Sequence, residues 1–152
     1  AVKAPLSYPT FSIGNLAITS DTSYAGMKRY QAALQAAMAP LQQNTTPEIS
    51  IFASYVQTGD AKYLDQLRAV AREYSDAAQA ASKVAVPSDA VVQDAAILNA
   101  MEEFSAVLSG LADNAQDPVA VLALLQDYGQ AQSDMVSSFD NFASYVSNHS
   151  KS

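Results

Sequence analysis

Apolar residues recur at alternating spacings of three and four along most of this chain, the period of helices that bury one face. The first stripe is Met27, Tyr30, Leu34, Ala37 and Leu41, preceded by the capping candidates Ser20, Asp21 and Thr22. Pro40 lacks an amide and its ring clashes with the carbonyl of Ala36, so this helix kinks or stops near Ala39. Thr46-Pro47-Glu48 signals a second, short helix through a capping hydroxyl, a proline suited to the first turn and an acid at the positive end of the helix dipole. Its pattern predicts Ile49, Phe52 and Val56 inward and a stop at Thr58-Gly59-Asp60, with glycine in the left-handed conformation and Asp60 capping the next helix.

The third helix is expected from about Ala61 to Val84, with Leu64, Leu67, Ala71, Tyr74, Ala78 and Ala81 on one face. Its alanine-lined later half lets a neighbour approach closely. Val86-Pro87-Ser88 breaks the chain and is expected to cap a fourth helix from about Asp89 to Asp113, with Ile97, Leu98, Met101, Phe104, Leu108 and Leu111 inward. Asp117-Pro118 then opens the clearest stripe: Val121, Leu125, Tyr128, Gln132, Met135, Phe139, Phe142 and Val146. A rod of some 30 residues is roughly 45 Å long and needs comparably long neighbours to cover that stripe. Short connections make consecutive helices antiparallel. The expected fold is therefore all-α: an up-down antiparallel bundle of four main helices plus one short helix. Pro5 and Pro9 disfavour helix at the start, so residues 1–20 read as an extended arm across the bundle, or as a short strand over Phe11–Ile18. Residues 21–148 then form a single domain and 149–152 a disordered tail.

Composition removes whole chemistries. The 152 residues include no Cys, so thiol catalysis, iron–sulfur clusters and disulfides are out. Fifteen acids against eight scattered bases give a formal net charge of −7, which repels nucleic acid and anionic membrane surfaces. The longest nearly continuous apolar run, Val119 to Leu125, is far short of the roughly 20 residues of a membrane span. Any membrane attachment is thus expected through a segment absent from this chain. The opening at Ala1, without Met or a signal-peptide pattern, reads as a processed or trimmed start.

A di-iron bundle needs inward glutamates and two Glu-x-x-His pairs. Here the single histidine is His149 in the expected tail, and the adjacent Glu102 and Glu103 point about 100° apart on a helix. No metal and no cofactor is expected. Asp65, Asp76, Asp127, Asp134 and Asp140 fall mostly off the stripes and read as a solvated face. Asp94, one heptad before Met101, extrapolates to the core or to the helix dipole. Gln132, within the fifth stripe, is expected to be a buried amide needing partners. Asn99 raises the same question, and with Tyr128 these residues, Asn99, Tyr128 and Gln132, are the candidate ligand-binding set. Tyr30, Tyr74 and Tyr128 lie on stripes, with core rings and hydroxyls at the rim. Asn44-Thr45-Thr46 and Asn148-His149-Ser150 match the glycosylation acceptor pattern.

Two resemblances rest on these residues. The order Leu16-Ala17-Ile18, Thr58-Gly59-Asp60, Val86-Pro87, Asn99 and Asp117-Pro118 followed by Tyr128 resembles a group of uncharacterised helical proteins of very small-celled candidate-phyla bacteria. That resemblance implies an exported or membrane-anchored ectodomain and brings no catalytic residues. Locally, Tyr55-Val56-Gln57-Thr58-Gly59-Asp60 with Tyr63-Leu64 is similar to a turn in four-helix-bundle sensor ectodomains of chemoreceptors and histidine kinases. This implies a small ligand or a partner protein held between helices. The leading expectation is a non-enzymatic, extracytoplasmic bundle acting through a protein partner or self-association, or as a structural module. The alternative is a ligand-sensing bundle with a small molecule near Asn99, Tyr128 and Gln132.

Overall fold

A computed structural model describes residues 6–44 and 46–149. Five α-helices follow the expected order: α1 (Tyr24–Met38), α2 (Glu48–Thr58), α3 (Lys62–Ala81), α4 (Val91–Asp113) and α5 (Pro118–Asn148). Together they build the all-α bundle that the apolar spacings predict. Pro40 ends α1 outright, and the chain continues as a 3₁₀ turn over Ala39–Gln43 before α2 begins. α1 lies against the C-terminal half of α3, beside Ala77, Ala78 and Ala81, while α2 lies against its N-terminal half, beside Leu64, Leu67 and Val70. The two short helices thus form one broken rod, which with α3, α4 and α5 makes four rods running alternately up and down.

Cross-contacts fix the antiparallel order. The Arg68 guanidinium donates to the Ala112 carbonyl and to Asp113, whereas the Ser105 hydroxyl donates to the Ala71 carbonyl at 2.6 Å. Between α4 and α5 the approach is close enough that a Cβ on Gly110 would sit 2.9 Å from a methyl of Leu124. An alanine there would make the end of the Leu124 side chain shift. Gly59, with φ of 69°, supplies the left-handed stop between α2 and α3.

Several local expectations are corrected. Ser23, not the preceding triplet, caps α1 by accepting from the Gly26 amide at 3.1 Å, and Asp21 supports it by accepting from the Ser23 amide and hydroxyl. Pro47 itself stands at the α2 N-cap, without a side-chain cap. Ser88 does not cap α4, which starts at Val91 after Ala90. Its amide instead donates to the Thr19 carbonyl in a two-residue parallel pairing of β1 (Ile18–Thr19) with β2 (Val86–Pro87). The short strand expected over Phe11–Ile18 shrinks to these two residues, preceded by a 3₁₀ turn over Ile13–Asn15.

α2 is rotated from its predicted face. Ile51 and Phe52 are buried, while Ile49 and Val56 are 40% and 67% exposed. Glu48, in its first turn, partners the hydroxyls of Tyr74 and Tyr128. α5 is rotated less. Its deepest positions are Ala120, Leu124, Tyr128, Ala131, Ser138 and Tyr145, flanked by the half-buried Val121, Leu125, Met135, Phe139, Phe142 and Val146. Small residues sit at the line of closest approach to α4, and larger ones close the sides.

The interior has two cores. The lower one gathers Ile51, Phe52, Leu64, Leu67, Phe104, Leu108 and Leu111 with Leu124 and Tyr128. The upper one gathers Leu16, Met27, Tyr30, Leu34, Ile97, Leu98 and Met101 with Tyr145 around the alanines of α3. Met135 packs against both.

Candidate functional site

Polar groups concentrate in a groove of about 290 Å³ between α4 and α5. Helical spacing builds it: Asn99 and Glu103 lie one turn apart on α4, and Asp134, Ser138 and Asn141 repeat at four and three on α5. The N-terminal arm closes one side. The Tyr8 hydroxyl donates to Glu103 Oε2 at 3.4 Å. Three residues on, the Phe11 amide donates to Asn99 Oδ1 at 2.6 Å, while Asn99 Nδ2 donates to the Phe11 carbonyl at 3.1 Å. One side-chain amide thereby satisfies both main-chain groups of one arm residue. Ser138 spends its hydroxyl on the Asp134 carbonyl, with a longer contact to the Ala96 carbonyl of α4.

Burial pushes the Glu103 carboxyl up to about 7, and the hydrogen bond and charge of Asp134 add to the rise, against the Tyr8 hydroxyl, which favours the ionised form. A carboxyl raised in this way is chemistry available to a general acid–base site. By sequence Glu103 was set aside with Glu102 as a pair too divergent to chelate one ion. Asp134 read as solvated, and the signal that could have found the pair is the four-residue step from Asn99 to Glu103.

Three further polar clusters tie segments together. In the upper core the Tyr30 hydroxyl donates to Asp94 Oδ1 at 2.5 Å, and Asp94 is only 1% exposed. Asp94 Oδ2 has no hydrogen-bond partner among the described residues, and burial raises this carboxyl. The extrapolated stripe placed Asp94 in the core, and it lies there. Above it, Asp89 accepts from the Tyr145 hydroxyl at 2.9 Å and contacts His149 Nε2 at 2.7 Å, while His149 Nδ1 contacts the Tyr145 carbonyl at 2.8 Å. Asp89 first, and then the Tyr145 carbonyl, hold the imidazole above its usual value. His149 was expected in a disordered tail; it is instead fixed to the start of α4. The rest of that tail, 150–152, lies outside the described residues, as do residues 1–5 of the arm and Thr45 and Ser150 of the glycosylation patterns.

In the lower core Phe104 is flanked by Tyr74 and Tyr128, with ring centroids at 4.9 and 5.3 Å. Tyr74 donates to Glu48 Oε1 at 3.3 Å, and the same carboxylate partners Tyr128. Glu102 points away from Glu103 toward Ser75 on α3, is 2% exposed, and is raised by burial.

The candidate set Asn99, Tyr128 and Gln132 does not converge. Asn99 holds the arm in the groove, Tyr128 belongs to the lower core, and Gln132 is exposed. The expected buried amide of Gln132 is corrected by the rotation of α5, which puts Ala131 at the contact line instead. Among the described residues no group of three or more His, Cys, Asp or Glu is placed to hold a metal ion. No family model, curated protein or solved structure matches this chain.

Proposed function

We propose that this chain is a non-enzymatic bundle that works through protein contacts or as a structural module, in an exported or surface-anchored setting. The observation that supports this reading is the use made of the polar groups in and around its cores. Asn99 grips the arm, Asp94 takes Tyr30, Glu48 takes Tyr74, and Asp89 takes Tyr145 and His149. Each joins one segment of the chain to another. The outward face of α5 adds to it. Val119, Leu122 and Val136 are 58%, 66% and 57% exposed there, and no Lys or Arg occurs between Lys83 and Lys151. Exposed apolar side chains are what contact surfaces use at their centre. The extracytoplasmic setting rests on the resemblance to exported bundles. No helix among the described residues is long and apolar enough to cross a membrane, so anchoring on this reading comes from another segment.

A second reading, a small molecule sensed between helices, is favoured by the Asn99–Glu103–Asp134 groove alone. Native mass spectrometry of the purified chain separates the two. The bare polypeptide mass, or a clean multiple of it, is the expected result. Extra mass that survives gentle desolvation and leaves on activation overturns the contact reading in favour of the sensor.

A further inference from the structure

We propose that the solvent face of α5 is a docking surface for a basic amphipathic helix of another protein. This rests on the protein-contact reading above and names the surface and the chemistry of its partner. Helical spacing lays the surface out. Leu122, Gly129, Val136 and Ala143 recur every seven residues, a polar residue falls between each pair at steps of four and three, and all of them are exposed. Two positions along a helix turn by about 200°, so Leu122 and Val136 stand opposite Leu124 and Ser138. Those two face α4, where Leu124 lies against Gly110 and the Ser138 hydroxyl meets the Ala96 carbonyl. The stripe therefore points away from the bundle.

The chain itself makes no use of this stripe. Leu122 and Val136 are each more than half exposed. Gly129 lies in mid-helix, where glycine weakens the helix relative to alanine, yet a Cβ there would meet nothing within 4 Å. Unlike Gly110, it answers to no packing within the chain. With Ser133 one turn further on, it leaves a dip between Leu122 and Val136 into which a second helix fits at close range. Charge then selects that helix. Nine acids and no Lys or Arg lie between Lys83 and Lys151. Asp140 stands in the stripe, and Asp127 and Asp134 repeat on the adjoining face. A second copy of α5 supplies no cation in either orientation, so pairing with it would cover Asp140 without a counter-charge. A helix with Leu or Val at its seam and Lys or Arg beside it matches both the apolar positions and the acids.

The test is NMR amide-shift mapping of the full isotope-labelled chain. It is titrated with a three-heptad synthetic peptide bearing leucine at its seam and lysine beside it, and with a counterpart in which glutamate replaces lysine. The expected result is saturable binding of the lysine peptide alone, with shifts centred on residues 122–143. Gly129→Lys enters open space, so the melting temperature should not fall, while binding should weaken roughly tenfold or more. Asp76→Asn makes the same change of net charge at an exposed position of α3 and should alter binding less than about twofold. Val136→Ser removes apolar area at constant charge and should also weaken binding, whereas Val56→Ser on α2 should not. Equal losses in Gly129→Lys and Asp76→Asn, or shifts spread over every acidic face, reduce the attraction to net charge and overturn the proposal. Equal binding of both peptides, or no saturation, overturns it as well. Shifts over 122–143 that grow with protein concentration in the absence of peptide overturn it in favour of a second copy. None of these outcomes removes the contact reading, which falls to extra bound mass in native mass spectrometry.

Discussion

The two ends of the bundle are stabilised in different ways. The lower core is area-rich: Leu, Ile, Val and Phe side chains from α2, α3, α4 and α5 interlock around Phe104, with Glu48 at its edge. The upper core has alanine along α3, a nearly inaccessible aspartate held by one tyrosine, and clips from the arm and from His149. Hydrophobic area is nearly insensitive to pH, whereas a buried carboxyl with a single donor is not. The lower end should therefore act as the stable platform and the upper end as the part that opens first.

The strongest way to break this comparison is Phe104→Ala. It removes the ring between Tyr74 and Tyr128, and the expected cost is about 3–5 kcal/mol, read by chemical denaturation. If the upper end were the main anchor, the loss would be much smaller. Next comes Tyr30→Phe, which leaves both oxygens of buried Asp94 without a donor and should cost roughly 1–3 kcal/mol. Hydrogen exchange should show the resulting deprotection in α1 and early α4, with α2 unaffected.

A pH series sharpens the contrast further. Glu103, Asp94 and Glu102 all have folded-state values above their unfolded ones, so the folded chain binds more protons and stability falls as pH rises through the shifted range. For Glu103 that window runs from its ordinary value near 4.5 up to about 7. Its contribution is on the order of 1–2 kcal/mol, less than the full shift implies because the groove is open to water. His149, also raised, acts in the same direction: its contribution is complete below the unfolded value of 6.5 and is lost as pH climbs through the higher folded one. Melting temperature should thus be higher at pH 5 than at pH 8, and the difference should shrink in Glu103→Gln. The smallest effect expected is Gly59→Ala, about 1 kcal/mol from forcing a side chain into the left-handed region, at a turn outside both cores.

Much of the architecture was legible because large apolar residues mark helical faces unambiguously. Every apolar residue named for α4 is buried, and Asp94 followed from heptad extrapolation alone. The errors share a cause. On α5 the most buried line includes Ala120, Ala131 and Ser138, small residues that hydropathy passes over in favour of the bulkier flanks. Gln132 was thereby drawn into the core and Asp134 left outside. On α2 a single acid, Glu48, pairs with tyrosines 26 and 80 positions away, long-range contacts that no local pattern encodes. The groove shows the same limit: Tyr8 and Glu103 are 95 positions apart, and only the folded arm brings them together.

Tyrosine hydroxyls meet carboxylates in every part of the fold: Tyr8 with Glu103, Tyr30 with Asp94, Tyr74 and Tyr128 with Glu48, and Tyr145 with Asp89. Burial is the first cause that holds each of these phenols above its ordinary value, and the partnered acid adds to it. The chain contains no tryptophan, so these phenols are not masked by a stronger chromophore. In alkali each pairing converts into mutual repulsion once its phenol ionises, and the fold loses stability above the ordinary tyrosine value of about 10. The near-ultraviolet band of tyrosinate then becomes an optical record of release, in which the arm, α1, α2 and the end of α5 each report through a phenol of their own or through the one that grips them.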